Sequence, residues 1–303
     1  MSTDDFAELY SQRRQPIVGV TFFLLPLKKG RINFVKLKEK LEGRFDTREF
    51  FEAAIEKDIE EGEELYIPEV FKDKESEQLI LKTSVDKVLL TPSSLFGKAT
   101  LDRPLSLAYR GYRILVIATA EIHFLIFKDN QTKKHYLVIL GSRSNSKSLF
   151  NSLNSFLEKI GLYAVPANLD PEKIEAIREQ LNGELIDTTL DRFPTNKIKM
   201  KRIVGRGFQD EPSYIQDVSI SSVHQHMFEY RTGIKRSPKV VTLSEDALVR
   251  LYSSMTYKEY EWFLRQYVLP YLRQIKKLPT PPITAFTVAD DIFQGEGEGE
   301  ETD

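Results

Sequence analysis

YRILVIATAEIHFLIFK (residues 112–128), DNQT (129–132) and HYLVIL (135–140) are two runs of β-branched, aromatic and aliphatic residues joined by a polar turn. That pattern predicts an antiparallel hairpin, with Phe127 facing His135 and His123 opposite Ile139. The run cannot be a membrane span, because its 16 most apolar residues carry Glu121 and His123 and fall short of the roughly 20 needed. After the hairpin comes Gly141-Ser142-Arg143-Ser144-Asn145-Ser146-Lys147-Ser148. Leu149, Phe150, Leu153, Phe156, Leu157 and Ile160 then recur at helical spacing and Gly161 closes the helix. A second helix opens with Asp170 as N-cap and Pro171 in its first turn, runs through Ile174, Ile177 and Leu181, and ends at Asn182-Gly183. A strand over Glu184–Leu190 follows. The predicted class is α+β, a mostly antiparallel sheet with helices packed on one face and aromatic-rich C-terminal helices.

Upstream, IVGVTFFLLPL (17–27) reads as a buried strand ended by Pro26. Asp46 offers an N-cap, and Phe50, Phe51, Ala54, Ile55 and Ile59 predict a helix reaching Gly62. Leu79–Leu90 and Leu105–Tyr109 read as strands. Downstream, strands are expected over Lys197–Val204, Tyr214–Ser221 and Lys239–Leu243. Ser244-Glu245-Asp246 should cap a helix through Leu248, Leu251 and Tyr252. Thr256 opens a long aromatic helix through Tyr260, Trp262, Phe263, Tyr267, Tyr271 and Ile275, kinked at Pro270. The expected organisation is an acidic strand-helix segment (1–77), a central α+β unit (78–191), a basic α+β unit (192–278) and a Pro-linked acidic disordered tail (279–303).

Composition limits the chemistry. The 303 residues contain no cysteine, which excludes disulfides, thiolate nucleophiles, Cys-ligated zinc and iron–sulfur clusters. Hydrophobic content of 41% suffices for a packed core. The opening MSTDDFAELYSQRRQ has neither a secretory apolar core nor the Arg-rich, acid-poor texture of a transit peptide, so a cytoplasmic address is expected. A net charge of −2 conceals three regions. Residues 46–77 hold thirteen acids and four bases, residues 191–278 hold sixteen bases and nine acids, and residues 279–303 hold seven acids and no base.

Three segments could carry chemistry. Backbone N–H groups, hydroxyls, Arg143 and Lys147 at the start of the 149–160 helix would suit an anion, but Ser146 stands where a P-loop needs glycine, so an NTPase is excluded. The plain alternative is a Ser/Asn-rich turn. In KIKMKRIVGRG (197–207), alternation puts Lys197, Lys199 and Lys201 on one strand face, with Arg202 and Arg206 beyond them. Such a face is either a charge-defended edge strand or a phosphate-tracking groove. Arg231, Lys235 and Arg236, close to Phe228 and Tyr230, add cations beside aromatic rings and favour nucleic acid. Finally, His224 and His226 would lie on one side of a strand as a pair of metal ligands, with Glu229 or Asp217 as a third; the plain alternative is a structural pair. No G-x-S-x-G elbow is present.

The expected function is therefore a binding subunit rather than an enzyme, such as an accessory subunit of a DNA- or RNA-processing complex, with no cofactor. It would contact nucleic-acid phosphates through Arg143, Lys147, Lys197, Lys199, Lys201, Arg202, Arg206, Arg231, Lys235 and Arg236. A protein partner would dock on Ile283–Phe293 or on the Tyr257–Ile275 helix, and no membrane is involved. The alternatives are a metal-dependent nuclease or phosphoester hydrolase using His224 and His226, and a purely structural protein–protein adaptor.

Overall fold

The computed structural model describes residues 3–26, 31–49, 64–68, 80–110, 112–130, 133–141, 153–154, 156–194, 198–231, 238–272 and 293–294. They form two compact units interleaved along the chain: Met1–Leu25, Leu125–Ser146 and Ala164–Pro282 in the first, Pro26–Phe124, Lys147–Tyr163 and Ile283–Asp303 in the second. The pairing within both is overwhelmingly antiparallel, so the class is α+β as the sequence implies. No helix among the described residues is long and apolar enough to cross a membrane.

In the first unit the strands run in the order β11 (Met200–Val204), β10 (Glu184–Asp191), β12 (Ser222–Tyr230), β13 (Lys239–Ser244), β14 (Leu248–Leu251), β1 (Ile17–Pro26) and β8 (His135–Leu140). β1 is an interior strand flanked by β14 and β8, and it is almost wholly apolar, as a strand buried on both faces must be. It pairs Ile17 with Leu251 on one side and Phe23 with Tyr136 on the other. α3 (Pro171–Gln180) packs Ile174 and Ile177 on β12. There is no room for a side chain at Gly183, where a Cβ would sit 2.3 Å from the Phe228 ring. The expected N-cap position is correct, although the Asp170 carboxylate pairs with Lys173 at 2.6 Å instead of capping the helix.

The C-terminal helix opens as α5 (Tyr257–Phe263) with a capping box, Thr256 accepting from the Glu259 amide and the Glu259 side chain accepting from the Thr256 amide. The buried Tyr260 hydroxyl donates to the Val249 carbonyl at 2.9 Å, fastening the helix to β14. Where a kink is expected at Pro270, the helix widens into a π turn over Leu264–Val268, then resumes as α6 (Leu269–Leu272). A proline clashes with the carbonyl four residues back, and the wider turn accommodates it by letting the Leu269 amide reach Leu264. α1 (Thr3–Ser11) packs on this helix through a 2.9 Å bond from the Tyr10 hydroxyl to Glu261.

The second unit orders β7 (Tyr112–Lys128, of which residues 112–124 belong here), β6 (Ser94–Tyr109), β5 (Ile80–Leu90) and β3 (Arg44–Glu49), with β4 (Glu64–Tyr66) parallel to β7. α2 (Phe34–Leu41) is capped by Asn33, whose side chain accepts from the Val35 and Lys36 amides, and it buries Leu37 and Leu41. Residues 153–154 and 156–159 are helical, with Leu153, Phe156 and Leu157 buried as the apolar stripe requires.

Several expectations are corrected. Asp46 caps no helix: residues 44–49 are β3, paired with β5 from Arg44 opposite Val85 to Glu49 opposite Ile80. Tyr214–Ser221 is not a strand but lies in α4 (Pro212–Ile220), where Pro212 presets the first turn and Tyr214, Asp217 and Val218 point inward at helical spacing. Leu248–Leu251 is not a helix but strand β14, because pairing with β1 and β13 outweighs the local cap. At the 129–134 turn the Asp129 amide donates to the Lys134 carbonyl at 2.8 Å, which sets the hairpin one residue from the expected register. Phe127 therefore stacks near Tyr136, centroids 5.8 Å apart, rather than facing His135.

Candidate functional site

β12 presents two histidines two residues apart, and an irregularity separates their fates. Its ladder with β10 runs Thr188 opposite His226 and Thr189 opposite Gln225, then jumps to Leu190 opposite Val223. His224 is left over as a β-bulge, a device that re-aims a side chain. The Glu245 amide bonds the His224 carbonyl at 3.0 Å and fixes the β13–β14 turn against it. Within that turn Ser244 bonds Asp246, and Ala247 sits at φ 52°, which the left-handed turn requires.

The result is a convergence of three elements. His224 Nδ1 lies 3.4 Å from Glu245 Oε2 in the turn and 3.7 Å from Asp191 Oδ2 at the end of β10. Arg192, at φ 54°, reaches back with Nη2 2.7 Å from Glu245 Oε2 and Nε 3.7 Å from Asp191 Oδ1. An open pocket of about 330 Å³ is lined by Arg192, His224 and Glu245 together with Asn168, Asp170 and Asp246, while Asp191 lies behind His224 outside its lining. The expected third ligands go elsewhere: Asp217 pairs with Lys201, and Glu229 faces Arg206 and Arg231.

His226 is not the partner of His224. It is fully buried on the helix-covered side, its Nδ1 2.9 Å from Thr188 Oγ1 and its Nε2 3.1 Å from Glu175 Oε2 on α3. Arg178 clamps the same carboxylate through two nitrogens and bonds the Gly183 carbonyl at 2.8 Å. Burial pushes the Glu175 carboxyl up, but hydrogen bonds from His226 and Arg178 outweigh it and hold the group down at about 2. Burial, with help from Glu175, raises the Tyr214 phenol to about 12. A Thr–His–Glu line has the residue types of an acyl-transfer triad, yet Thr188 is wholly buried, so its hydroxyl cannot reach a substrate. The buried imidazole is held between Thr188 and Glu175, which gives this network a structural role. The expected His224–His226 ligand pair is accordingly divided between two environments.

The basic segment forms an edge. β11 pairs only with β10, among the described residues, and leaves Ile198, Met200 and Val204 exposed along with Lys199. Lys201 pairs with Asp217 of α4, Arg202 binds both oxygens of Asp187, and Arg206 and Arg231 lie 3.4 and 3.9 Å from Glu229. In each pair the acid lies beneath and the base outermost: Arg202, Arg206 and Arg231 are 67%, 69% and 71% exposed, against 7% for Asp187 and 12% for Glu229. Arg143, Lys147, Lys197, Lys235 and Arg236 lie outside the described residues, as does Ile283–Phe293 apart from Phe293, which with Gln294 (β15) pairs with Arg31–Ile32 (β2). Phe228 and Tyr230 are buried, which removes them as stacking surfaces for bases.

Two features went unread in the sequence. Lys40, Arg44 and Lys159 surround Asp46 and the exposed Phe45 in the second unit, lining a pocket of about 270 Å³, and Lys82 stands 4.7 Å over the Phe45 ring. The Arg44-Phe45-Asp46 run carries no local signal for this, because Lys159 comes from 113 residues away. The Asp191–His224–Glu245 convergence had none, because it depends on a bulge. No protein-family model matches the chain, and no curated protein matches it.

Proposed function

We propose that the chain is a non-catalytic binding subunit that meets nucleic-acid phosphates along the β11 edge, through Lys199, Lys201, Arg202, Arg206 and Arg231, with Arg143, Lys147, Lys197, Lys235 and Arg236 contributing further charge. The observation that supports this reading is the layering of charge. The buried Asp187 carboxylate holds the Arg202 guanidinium, Glu229 and Asp217 lie beneath Arg206, Arg231 and Lys201, and with Lys199 five cations stand over three acids. A phosphate approaching the edge meets cations first, and a guanidinium already held on one side loses less side-chain freedom on binding it. The partner surface we assign to Trp262, exposed beside a cavity of about 210 Å³ lined by Met255, Phe263 and Tyr267. Lys239 and Glu259 also line this recess, and an exposed indole beside a mixed aromatic and charged recess suits a protein contact.

Fluorescence anisotropy with labelled single- and double-stranded DNA and RNA tests the reading. Binding should weaken as salt rises, with a log–log slope of about −2 to −4, as expected for a few neutralised phosphates. Arg202→Glu with Arg206→Glu should weaken every nucleic acid by tenfold or more. Affinity no tighter than about 10⁻⁴ M at low salt would overturn the proposal.

A further inference from the structure

We propose that Asp191, His224 and Glu245 form a binding site for a divalent cation of the Zn²⁺ or Mn²⁺ class, with Arg192 holding the carboxylates together until the ion arrives. Among the described residues this is the one place where three His or acidic donors converge, their ligand atoms all within 4.8 Å of one another. The spacing suits a shared ion. Donors about 2.1 Å from a tetrahedral metal are about 3.4 Å apart, and the imidazole nitrogen stands 3.4 and 3.7 Å from the two carboxylates.

Each donor is delivered by a different element: the end of β10, the β12 bulge and the β13–β14 turn. The sheet therefore fixes their positions before any ion binds. Charge favours occupation as well. Two carboxylates, Asp191 and Glu245, face the one guanidinium of Arg192. Arg192 is the most exposed member of the group, so its side chain can swing into solvent without disturbing the core. An imidazole with two carboxylates suits a borderline ion better than Mg²⁺, which prefers an all-oxygen shell that includes several waters. The pocket above the donors leaves the remaining coordination positions to water or a small anionic ligand.

The full-length chain titrated with Zn²⁺, and separately with Mn²⁺, by calorimetry should bind one ion per chain more tightly than Mg²⁺. Mn²⁺ bound there should also broaden the electron paramagnetic resonance signal. His224→Ala should weaken the ion by tenfold or more, and Glu245→Gln similarly. Arg192→Gln should instead strengthen it, since a competing cation is gone; a purely structural ion-pair network would give no such gain. Circular dichroism of each variant checks that the fold is retained. Affinity weaker than about 1 mM for both ions, or unchanged binding in both His224→Ala and Glu245→Gln, overturns the site. If binding persists in those two variants but falls on Asp170→Asn, the ion lies elsewhere in the pocket and the assignment is equally wrong.

Discussion

His224 and His226 share a strand, a residue type and nearly a position, yet His226 is fully buried at the floor of a cavity of about 660 Å³ beside Glu175 and Tyr214, and His224 is partly exposed in a different, open pocket. His226 follows the regular pleat into the helix-covered face, where Thr188 bonds Nδ1 and the Glu175 carboxylate lies 3.1 Å from Nε2. His224 is displaced by the bulge and meets Asp191 and Glu245 beside solvent. Burial of the whole imidazole makes its contacts with Thr188 and Glu175 matter for stability, because a buried polar group left without a partner is costly. The environment of His224 is open, because its neighbours carry more negative charge than Arg192 neutralises. A single extra residue in a ladder thus converts a possible ligand pair into one structural and one available imidazole.

That contrast can be broken by measurement. His226→Ala should cost about 3 kcal/mol or more in urea unfolding, because it leaves a cavity and strips Glu175 and Thr188 of a partner; a loss below about 1 kcal/mol would refute the structural role. Gly183→Ala, which drives a methyl into the Phe228 ring beneath α3, should cost about 1–3 kcal/mol in the same assay. Acid should weaken the fold through His135, which burial and the nearby Lys128 hold down at about 4. The unfolded chain takes up that proton below about 6.5 and the folded chain only near 4, so stability is complete above 6.5 and falls through that window by up to about 1.4 kcal/mol per pH unit. Glu175, held at about 2, adds a further loss as pH drops from about 4.5 towards 2. A melting temperature flat from pH 7 to 4 would contradict both the burial and its sign. The smallest effect belongs to His224→Ala, expected within about 0.5 kcal/mol of the parent, as for a residue outside the core.

Elements with a long pattern were legible. The 17–26, 80–90 and 112–128 strands and the stripe Leu153, Phe156 and Leu157 follow from periodicity, because a sustained apolar pattern fits only one way of burying it. Short apolar runs were not. Tyr214–Ser221 and Leu248–Leu251 suit either period, and the deciding terms, Pro212 at a helix start and the partners β1 and β13, act through single residues or through distant sequence. The basic edge was visible as composition, but its buried acids were not, since Asp187 lies fifteen residues from Arg202 and Asp217 sixteen from Lys201. Asp191, His224 and Glu245 span more than fifty residues and meet only because a register shifts, which local propensity does not encode.

The fastening of residues 14–20 to residues 248–255 also bears on biosynthesis. Arg14 and Met255 exchange backbone hydrogen bonds of 2.8 and 3.1 Å, and Ile17 pairs with Leu251, 234 residues later. At about 5–20 residues per second, the Ile17–Val20 edge of the nascent strand waits on the order of ten to fifty seconds for that partner to leave the ribosome. During this interval one of the most aggregation-prone edges in the protein is open, so yield in cells should depend on chaperone supply more than on the stability of the finished fold.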